Sequence, residues 1–363
     1  KQAYNTFEAK LNLLSHFTDS SKLNHDINLN FYNLTDKYKL NESNISANGL
    51  VKTYIKGERF NVFGSVDFYN HKMSNDTVNN FIAKLYPYFE AGGKKWSADI
   101  GPAIAIDKFS DSSAKFRGYL RFNVHYNVYN NIIIPYAGTG GDLQKNSFRN
   151  LMQVNPFIQS TVRLKNTNTK FEGFVGLRGA LSAKMNYDAK VTYQKVGDLA
   201  MYLVDYSDPL KNRFKMVYDN ADILKVSGQL KYSHKEKINV IAGGNYYHYK
   251  MQTEKYAWHK PSFDIKLSGI YNIKSKIITR MDLFFIGNQW AQQVVTDAAG
   301  VSVTNPVNIK GMADINLGFE YRYSKFLSAF ANFNNVANFR YYRWDRYPTQ
   351  RFNFMVGLTF IPF

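Results

Sequence analysis

The sequence predicts an all-β protein, an antiparallel up-and-down β-barrel that crosses a membrane with its strands. Three observations predict it: apolar residues recur with a period of two, the alternating runs are long, and tight turns alternate with longer polar connections.

The period is plain from Phe60, where Phe60, Val62, Gly64, Val66 and Phe68 alternate with Asn61, Phe63, Ser65, Asp67 and Tyr69. It recurs in Phe81, Ala83, Leu85, Pro87 and Phe89, then over 96–106, then in Phe116, Gly118, Leu120, Phe122, Val124 and Tyr126. Further runs follow at 171–179, 187–193, 224–232, 263–271, 277–285, 313–323 and 352–360. The alternate positions carry charge: Lys84, Glu90, Lys95, Asp99, Lys115, Arg117, Arg121 and His125, and later Arg178, Lys190, Lys225, Lys266, Arg280, Asp282, Glu320 and Arg322. Helical spacing of three and four beats this alternation in no window longer than about ten residues. The runs extend over about 10 to 15 residues, whereas strands of soluble sandwiches favour about 5 to 6 and a tilted strand of about 9 to 11 crosses a bilayer.

Short turns are expected at 18–21, 56–58, 92–94, 128–130, 181–184, 233–237, 273–275 and 324–325. Longer connections are expected at 35–43, 70–79, 107–113, 138–169, 197–212, 252–257, 288–308 and 336–350. Tight turns at one end and large loops at the other suit periplasmic turns and extracellular loops of the bacterial outer membrane. Closure removes the open edges of such a sheet, and lipid demands an internal partner for every backbone polar group. A large soluble sandwich also alternates, but needs neither the strand length nor the turn asymmetry. Tyr126, Trp96, Phe326, Tyr323 and Phe360 are then candidates for the interfacial aromatic girdles. The expected strand number is about 17, within a range of 16 to 22, in a single domain over 1–363. An odd count would run the first and last strands in the same direction, which predicts at least one further strand ahead of Lys1 and a missing N-terminal part.

Composition narrows function. The 363 residues include 28 Phe, 27 Tyr and 4 Trp, carry a formal charge of +18 and contain no cysteine. That excludes a disulfide scaffold, a thiolate metal site and a disordered polymer. Mean hydropathy is −0.39, and no apolar run approaches the roughly 18 residues of a spanning helix. The start of the chain shows no secretory targeting pattern. Basic and aromatic residues together could read as a nucleic-acid surface. Here they occupy opposite faces of the same strands, which fits a lipid wall and a wet lumen. The lumen-lining candidates are Lys115, Arg117, Arg121, His125, Arg280, Asp282 and Arg322, and rings of basic residues favour anionic solutes.

The seven histidines, at 16, 25, 71, 125, 234, 248 and 259, form no HExxH and no metal-ligand spacing. No catalytic residue, metal or cofactor is expected, and the chain is not expected to be an enzyme. Between Asn338 and Pro348 lie five aromatics and three arginines. Arg340, Tyr341, Tyr342, Arg343, Trp344, Arg346 and Tyr347 are therefore candidates for contact with an extracellular ligand or partner, or for packing above the strands. The glycines Gly138, Gly140 and Gly141 open a connection long enough either to fold inward as a constriction or to cap the mouth.

The last alternating strand ends in Gly357, Leu358, Thr359, Phe360 and finally Phe363. It resembles the terminal signal read by the barrel-assembly machinery, with Gly357, Phe360 and Phe363 as its elements. In the usual signal the final aromatic lies five residues after the glycine; here Phe363 lies six after it, with Pro362 in between. With the stretches at 132–138, at Asn155, Pro156 and Phe157, at 257–261 and at 334–342, the chain resembles the C-terminal barrel of TonB-dependent-receptor-type outer-membrane proteins. That resemblance implies transport of a solute or nutrient across the outer membrane, with TonB as a possible partner. Neither a plug nor a TonB box is visible. The alternative function is a plug-less structural or accessory subunit of a complex that binds a secretion, assembly or lipoprotein partner. Outer-membrane lipids and lipopolysaccharide are the expected surroundings, and nucleic acid is not an expected partner.

Overall fold

Alternating side chains on an extended backbone give a strand two chemically different faces, and this chain keeps that difference across almost its whole length. The computed structural model describes residues 2–15, 17, 22–55, 57–73, 76–296 and 302–361. The turn expected at 18–21, His16 and Phe363 lie outside the described residues. Among the described residues seventeen strands belong to one antiparallel sheet, matching the expected number, and no helix is long and apolar enough to cross a membrane.

The described chain forms two compact units. The first comprises Lys1–Tyr126, Tyr136–Phe174 and Gln194–Asp222. It contains β1 (Tyr4–Leu14), β2 (Asn24–Asp36), β3 (Asn41–Ile55), β4 (Glu58–Lys72), β5 (Thr77–Gly92), β6 (Trp96–Phe109) and β7 (Lys115–Tyr126), most of β8 (Ile134–Gln144), and helix α1 (Phe148–Val154). Parts of β9 (Thr167–Ser182), β10 (Met185–Val204) and β11 (Phe214–His234) complete it. Each strand from β1 to β8 pairs antiparallel with the next. In register, Ala47, Val66, Ala83, Ile106 and Phe116 form one apolar row, while Ser46, Asp67, Ile82, Asp107 and Lys115 form the row behind it. Exposure is inverted relative to a soluble protein. Val66, Leu85, Ile104 and Phe116 are exposed, whereas Glu42, Asn80, His71 and Asp107 are buried. Large contiguous exposed apolar patches mark interaction surfaces, here one suited to lipid.

The second unit comprises Asn127–Pro135, Val175–Tyr193 and Ile223–Phe363. Beyond the remainders of β9 to β11 it holds β12 (Ile238–Met251), β13 (Phe263–Ile273), β14 (Ile277–Ile286), β15 (Gln289–Thr296), β16 (Ser302–Ile309), β17 (Met312–Arg322), β18 (Leu327–Asn334), β19 (Tyr342–Trp344), β20 (Tyr347–Pro348) and β21 (Asn353–Phe360). Strands β12, β13, β14, β17, β18 and β21 pair in succession, and β15–β16 and β19–β20 are separate hairpins within the longer connections. Leu267, Leu283 and Ile315 continue the apolar face in register, and Ser268, Asp282 and Asn316 the polar one.

Several expected long connections are short. The first, 35–43, shrinks to Lys37–Leu40 because β3 begins at Asn41. Asp36 accepts the N–H groups of Tyr38 at 2.7 Å and Leu40 at 2.9 Å, an Asx turn that closes the chain tightly. The same correction applies at 70–79 and 107–113, where polar residues such as Asn70, Asn79 and Asp107 are strand members bonded across the polar face. The segment 138–169 is a connection only over 145–166. Gly138 and Gly141 lie in β8, where an added Cβ would meet the Phe174 ring at 2.5 Å and the Tyr119 ring at 2.3 Å. These glycines make room for aromatics. Among the expected girdle residues, Trp96 and Tyr126 are cross-strand partners, and they, Tyr323 and Phe360 are exposed, whereas Phe326 is half-buried.

Gly101 in β6 offers a test of close strand approach, since a Cβ there would lie 2.0 Å from the carbonyl oxygen of Pro87. Substitution Gly101→Val is expected to cost about 1–3 kcal/mol through forced backbone movement. It should lower the temperature at which the folded form is lost on semi-native gels. Gly118→Ala, with nothing within 4 Å of the new atom, should leave that temperature unchanged.

Candidate functional site

The most elaborate polar construction in the first unit is built on the connection 145–166. Ser147 starts α1, its hydroxyl accepting the Asn150 N–H at 3.2 Å. Asn155 and Pro156 end the helix, since a proline ring cannot continue the hydrogen-bond ladder. The first turn contains no acidic residue. That charge is supplied by Glu42 of β3, whose carboxylate accepts the N–H of Phe148 at 2.8 Å and of Arg149 at 3.1 Å. An anion at a helix N-terminus is stabilised by the unpaired amides and the helix dipole.

Glu42 also accepts the Tyr32 hydroxyl at 2.9 Å and stands 3.3 Å from Nδ1 of His71. Arg149 closes the cluster, forking onto Glu8 of β1 with two bonds of 3.0 Å and lying over the Tyr32 ring at 4.4 Å. Further along, Lys145 pairs with Asp67 and Ser160 bonds Asp36. Asn166 donates to Asp107 at 2.9 Å, and Tyr202 donates to the Leu151 carbonyl at 3.1 Å. Phe157 and Gln159 form backbone bonds with Phe214. Apolar burial adds to this: Phe148, Leu151, Ile158, Val162 and Leu164 are all buried. The connection therefore folds inward onto the polar face of this unit.

The predicted polar-face residues fall into two groups by unit. In the first, Lys115, Arg117, Arg121 and His125 lie on one face of β7, alternating with exposed Phe116, Leu120 and Tyr126. Arg117 lies 3.6 Å from Asp107 and Arg121 lies 3.4 Å from Asp99. In the second, Arg280 and Arg322 both bind Glu320, at 2.8 and 2.9 Å, and Asp282 accepts the Ser268 hydroxyl at 2.5 Å. Sequence reasoning missed Glu8, Glu42, His71, Arg149 and Asn166. The one local signal was the bracket of Ser147 before, and Pro156 after, a short apolar run.

In the second unit three connections interlock. Trp258 bridges to Trp290 through the backbone, with His259 N–H to the Trp290 carbonyl at 2.8 Å. Tyr256 stacks on Trp290 at 4.4 Å between ring centres, and the His259 ring meets Trp344 at 5.3 Å. His259 Nε2 accepts the Asp345 N–H at 3.2 Å, while Gln293 donates to both Asp345 oxygens. Of the residues predicted to face a ligand or partner, Trp344 is buried in this cluster, Tyr341 and Tyr347 are half-buried, and Arg340, Tyr342, Arg343 and Arg346 are exposed. Desolvation holds the Asp345 carboxyl above the usual aspartate range. At the end of the chain β21 runs to Phe360 and includes Gly357. Among the described residues no group of three or more His, Asp or Glu could hold a metal ion.

Two outcomes test these constructions. Substitution Glu42→Gln removes the anion at the α1 N-terminus, and amide exchange over 148–154 should accelerate about tenfold, as loss of a charged cap worth about 1 kcal/mol or more implies. Asp345 binds its proton more tightly in the folded loops than in the unfolded chain. The stability it contributes is full below the ordinary aspartate value and is lost as pH rises through the raised one. Exchange over 342–348, corrected for intrinsic rates, should therefore quicken on passing upward through that window, and Asp345→Asn should flatten the dependence.

No known family profile matches the chain, and no curated protein matches it in sequence. Solved structures do match. The FrpB iron transporter from Neisseria meningitidis superposes with a TM-score of 0.72 at 10% identity, over 98% of this chain and 62% of that one. The pyoverdine outer-membrane receptor FpvA from Pseudomonas aeruginosa, bound to pyoverdine, gives 0.70 at 13% identity, over 99% of this chain and 62% of that one. The siderophore receptor PiuA from Acinetobacter baumannii gives 0.65 at 11% identity, over 99% and 64%. The chain thus spans less than two thirds of the length of these receptors. A chain whose described residues place seventeen strands in one antiparallel sheet, and which superposes over nearly its whole length on such proteins, has the fold of the outer-membrane β-barrel of TonB-dependent receptors.

Proposed function

We propose that the chain forms a transport barrel of the bacterial outer membrane, through which a solute passes along the polar face. The observation that carries this reading is the inverted sheet. Large apolar side chains such as Phe68, Leu85, Ile104 and Leu120 are exposed, while the alternate positions hold charged and amide side chains. A lipid-facing wall and a wet interior require that division. The fold likeness to iron, copper and siderophore receptors supports a transport role. Coupling to TonB, contact with lipopolysaccharide and insertion by the barrel-assembly machinery belong to the same proposal.

The infolded connection 145–166 sets the bore in this reading. It lies on the polar face of the first unit and would narrow the path there. In the loops of the second unit, Arg340, Tyr342, Arg343 and Arg346 remain exposed, and Tyr341 and Tyr347 half-exposed, for contact with the incoming solute. Trp344 supports them from below.

The same connection favours a second reading, an accessory barrel subunit whose interior is filled and whose loops bind a protein partner. Dense burial of Phe148, Leu151 and Ile158 is what a permanent filling needs. Single-channel recording in a planar bilayer separates the two. The transport reading expects discrete conductance steps, enlarged when residues 148–163 are replaced by a short Gly-Ser linker. Absence of steps from both the intact and the shortened protein would favour the accessory role.

A further inference from the structure

At the short-turn end of the second unit lies an open cavity of about 910 Å3, lined by the β13–β14 turn, the β17–β18 turn and the end of β21. Its charged lining is one-sided. Lys274, Lys276, Arg280, Arg322 and Lys325 face Glu320 alone, five cations against one carboxylate, for a formal balance of +4. The serine and threonine residues of both turns and of β21 add hydroxyl donors.

The arrangement is more than an accumulation of surface lysines. Glu320 engages both arginines, Arg280 through Oε2 at 2.8 Å and Arg322 through Oε1 at 2.9 Å. Its two oxygens therefore hold two guanidinium planes at fixed positions on one wall. Each guanidinium has five N–H donors, so most remain available to a second acceptor. Lys274, Lys276 and Lys325 have no acidic partner within ion-pair distance among the described residues.

Backbone conformation points the same way. The three-residue β13–β14 connection, 274–276, contains a β-turn closed by Lys276 N–H to the Ile273 carbonyl at 3.0 Å. Its central residues, Lys274 with φ of 51° and Ser275 with φ of 58°, are both in the left-handed region. Asn and Gly adopt that turn most easily. Lysine there gives up local stability in return for a charge at the cavity edge.

We propose that this basin binds a phosphate-bearing anion. A multiply charged oxyanion matches the surplus of four positive charges, whereas a single carboxylate would be satisfied by one arginine. The phosphate could be that of a free solute or of an anionic lipid headgroup at the membrane edge. Binding here does not depend on the transport reading, because a filled accessory barrel would retain the same cavity.

The test uses the full chain purified in nonionic detergent, titrated calorimetrically with inorganic pyrophosphate in low and high salt. Binding that weakens with salt is expected. The triple variant Lys274→Gln, Lys276→Gln, Lys325→Gln leaves the Glu320 ion pairs intact, and should weaken binding about tenfold while the folded band on semi-native gels is unchanged. A parallel arm measures retention by vesicles with and without phosphatidylglycerol. Lysine-dependent preference for phosphatidylglycerol, without pyrophosphate binding, would support the proposal with a lipid as the source. The proposal fails if the wild type shows neither pyrophosphate binding nor that preference, or if the folded triple variant matches it in both.

Discussion

Every backbone N–H and C=O at membrane depth needs a partner within the protein, because hydrocarbon offers none. The remaining features of this chain follow from that constraint. Strands must be long and must pair with their neighbours along their length, as β3 and β4 do from Asn41–Lys72 to Ile55–Glu58. Once the backbone is paired, side chains alternate between an exposed apolar face and a polar one. Hydrophobic burial then works in the opposite direction from a soluble core: Ile104 and Phe116 are exposed while Glu42 and His71 are covered.

Covering charged groups is costly unless each finds a partner. On the polar face of the first unit this requirement explains why the 145–166 connection folds inward. Its amides donate hydrogen bonds to Glu42, its Arg149 satisfies Glu8, its Lys145 satisfies Asp67, and its Asn166 reaches Asp107. The connection and the strand face are each incomplete alone. In the second unit the polar face is arranged differently, with Glu320 shared by two arginines and a positive surplus left at the short-turn end. An inward segment in one unit and an open basic cavity in the other place different chemistry on the same kind of face.

The face assignment was legible in sequence because a period of two needs only local information: Val66 and Asp67, or Phe116 and Arg117, declare their faces by type. Polar strand ends were not legible. Asn41, Glu42 and Ser43 look like a loop, and only their ladder partners Asn33, Leu34 and Thr35 in β2 and Asn70, His71 and Lys72 in β4 make them strand, while the amides that satisfy Glu42 lie more than a hundred residues away in the chain. Gly138 and Gly141 misled similarly, since flexibility and room for a neighbouring ring call for the same residue. The aromatic and basic stretch around Trp344 carried two readings, and the fold divides it: Trp344 supports the loops and the arginines remain outside.

The central claim is that the exposed apolar face meets lipid and the alternate face does not. Because the chain has no cysteine, single cysteines can be introduced along β6 and β7 and spin-labelled without competing sites. In reconstituted bilayers, labels at Ile104, Ile106, Phe116 and Leu120 should collide mainly with oxygen dissolved in lipid. Labels at Ala103, Ala105 and Arg117 should be shielded from it, giving a period of two along each strand. Equal accessibility of both sets to a water-soluble collider, with no alternation, would contradict the account.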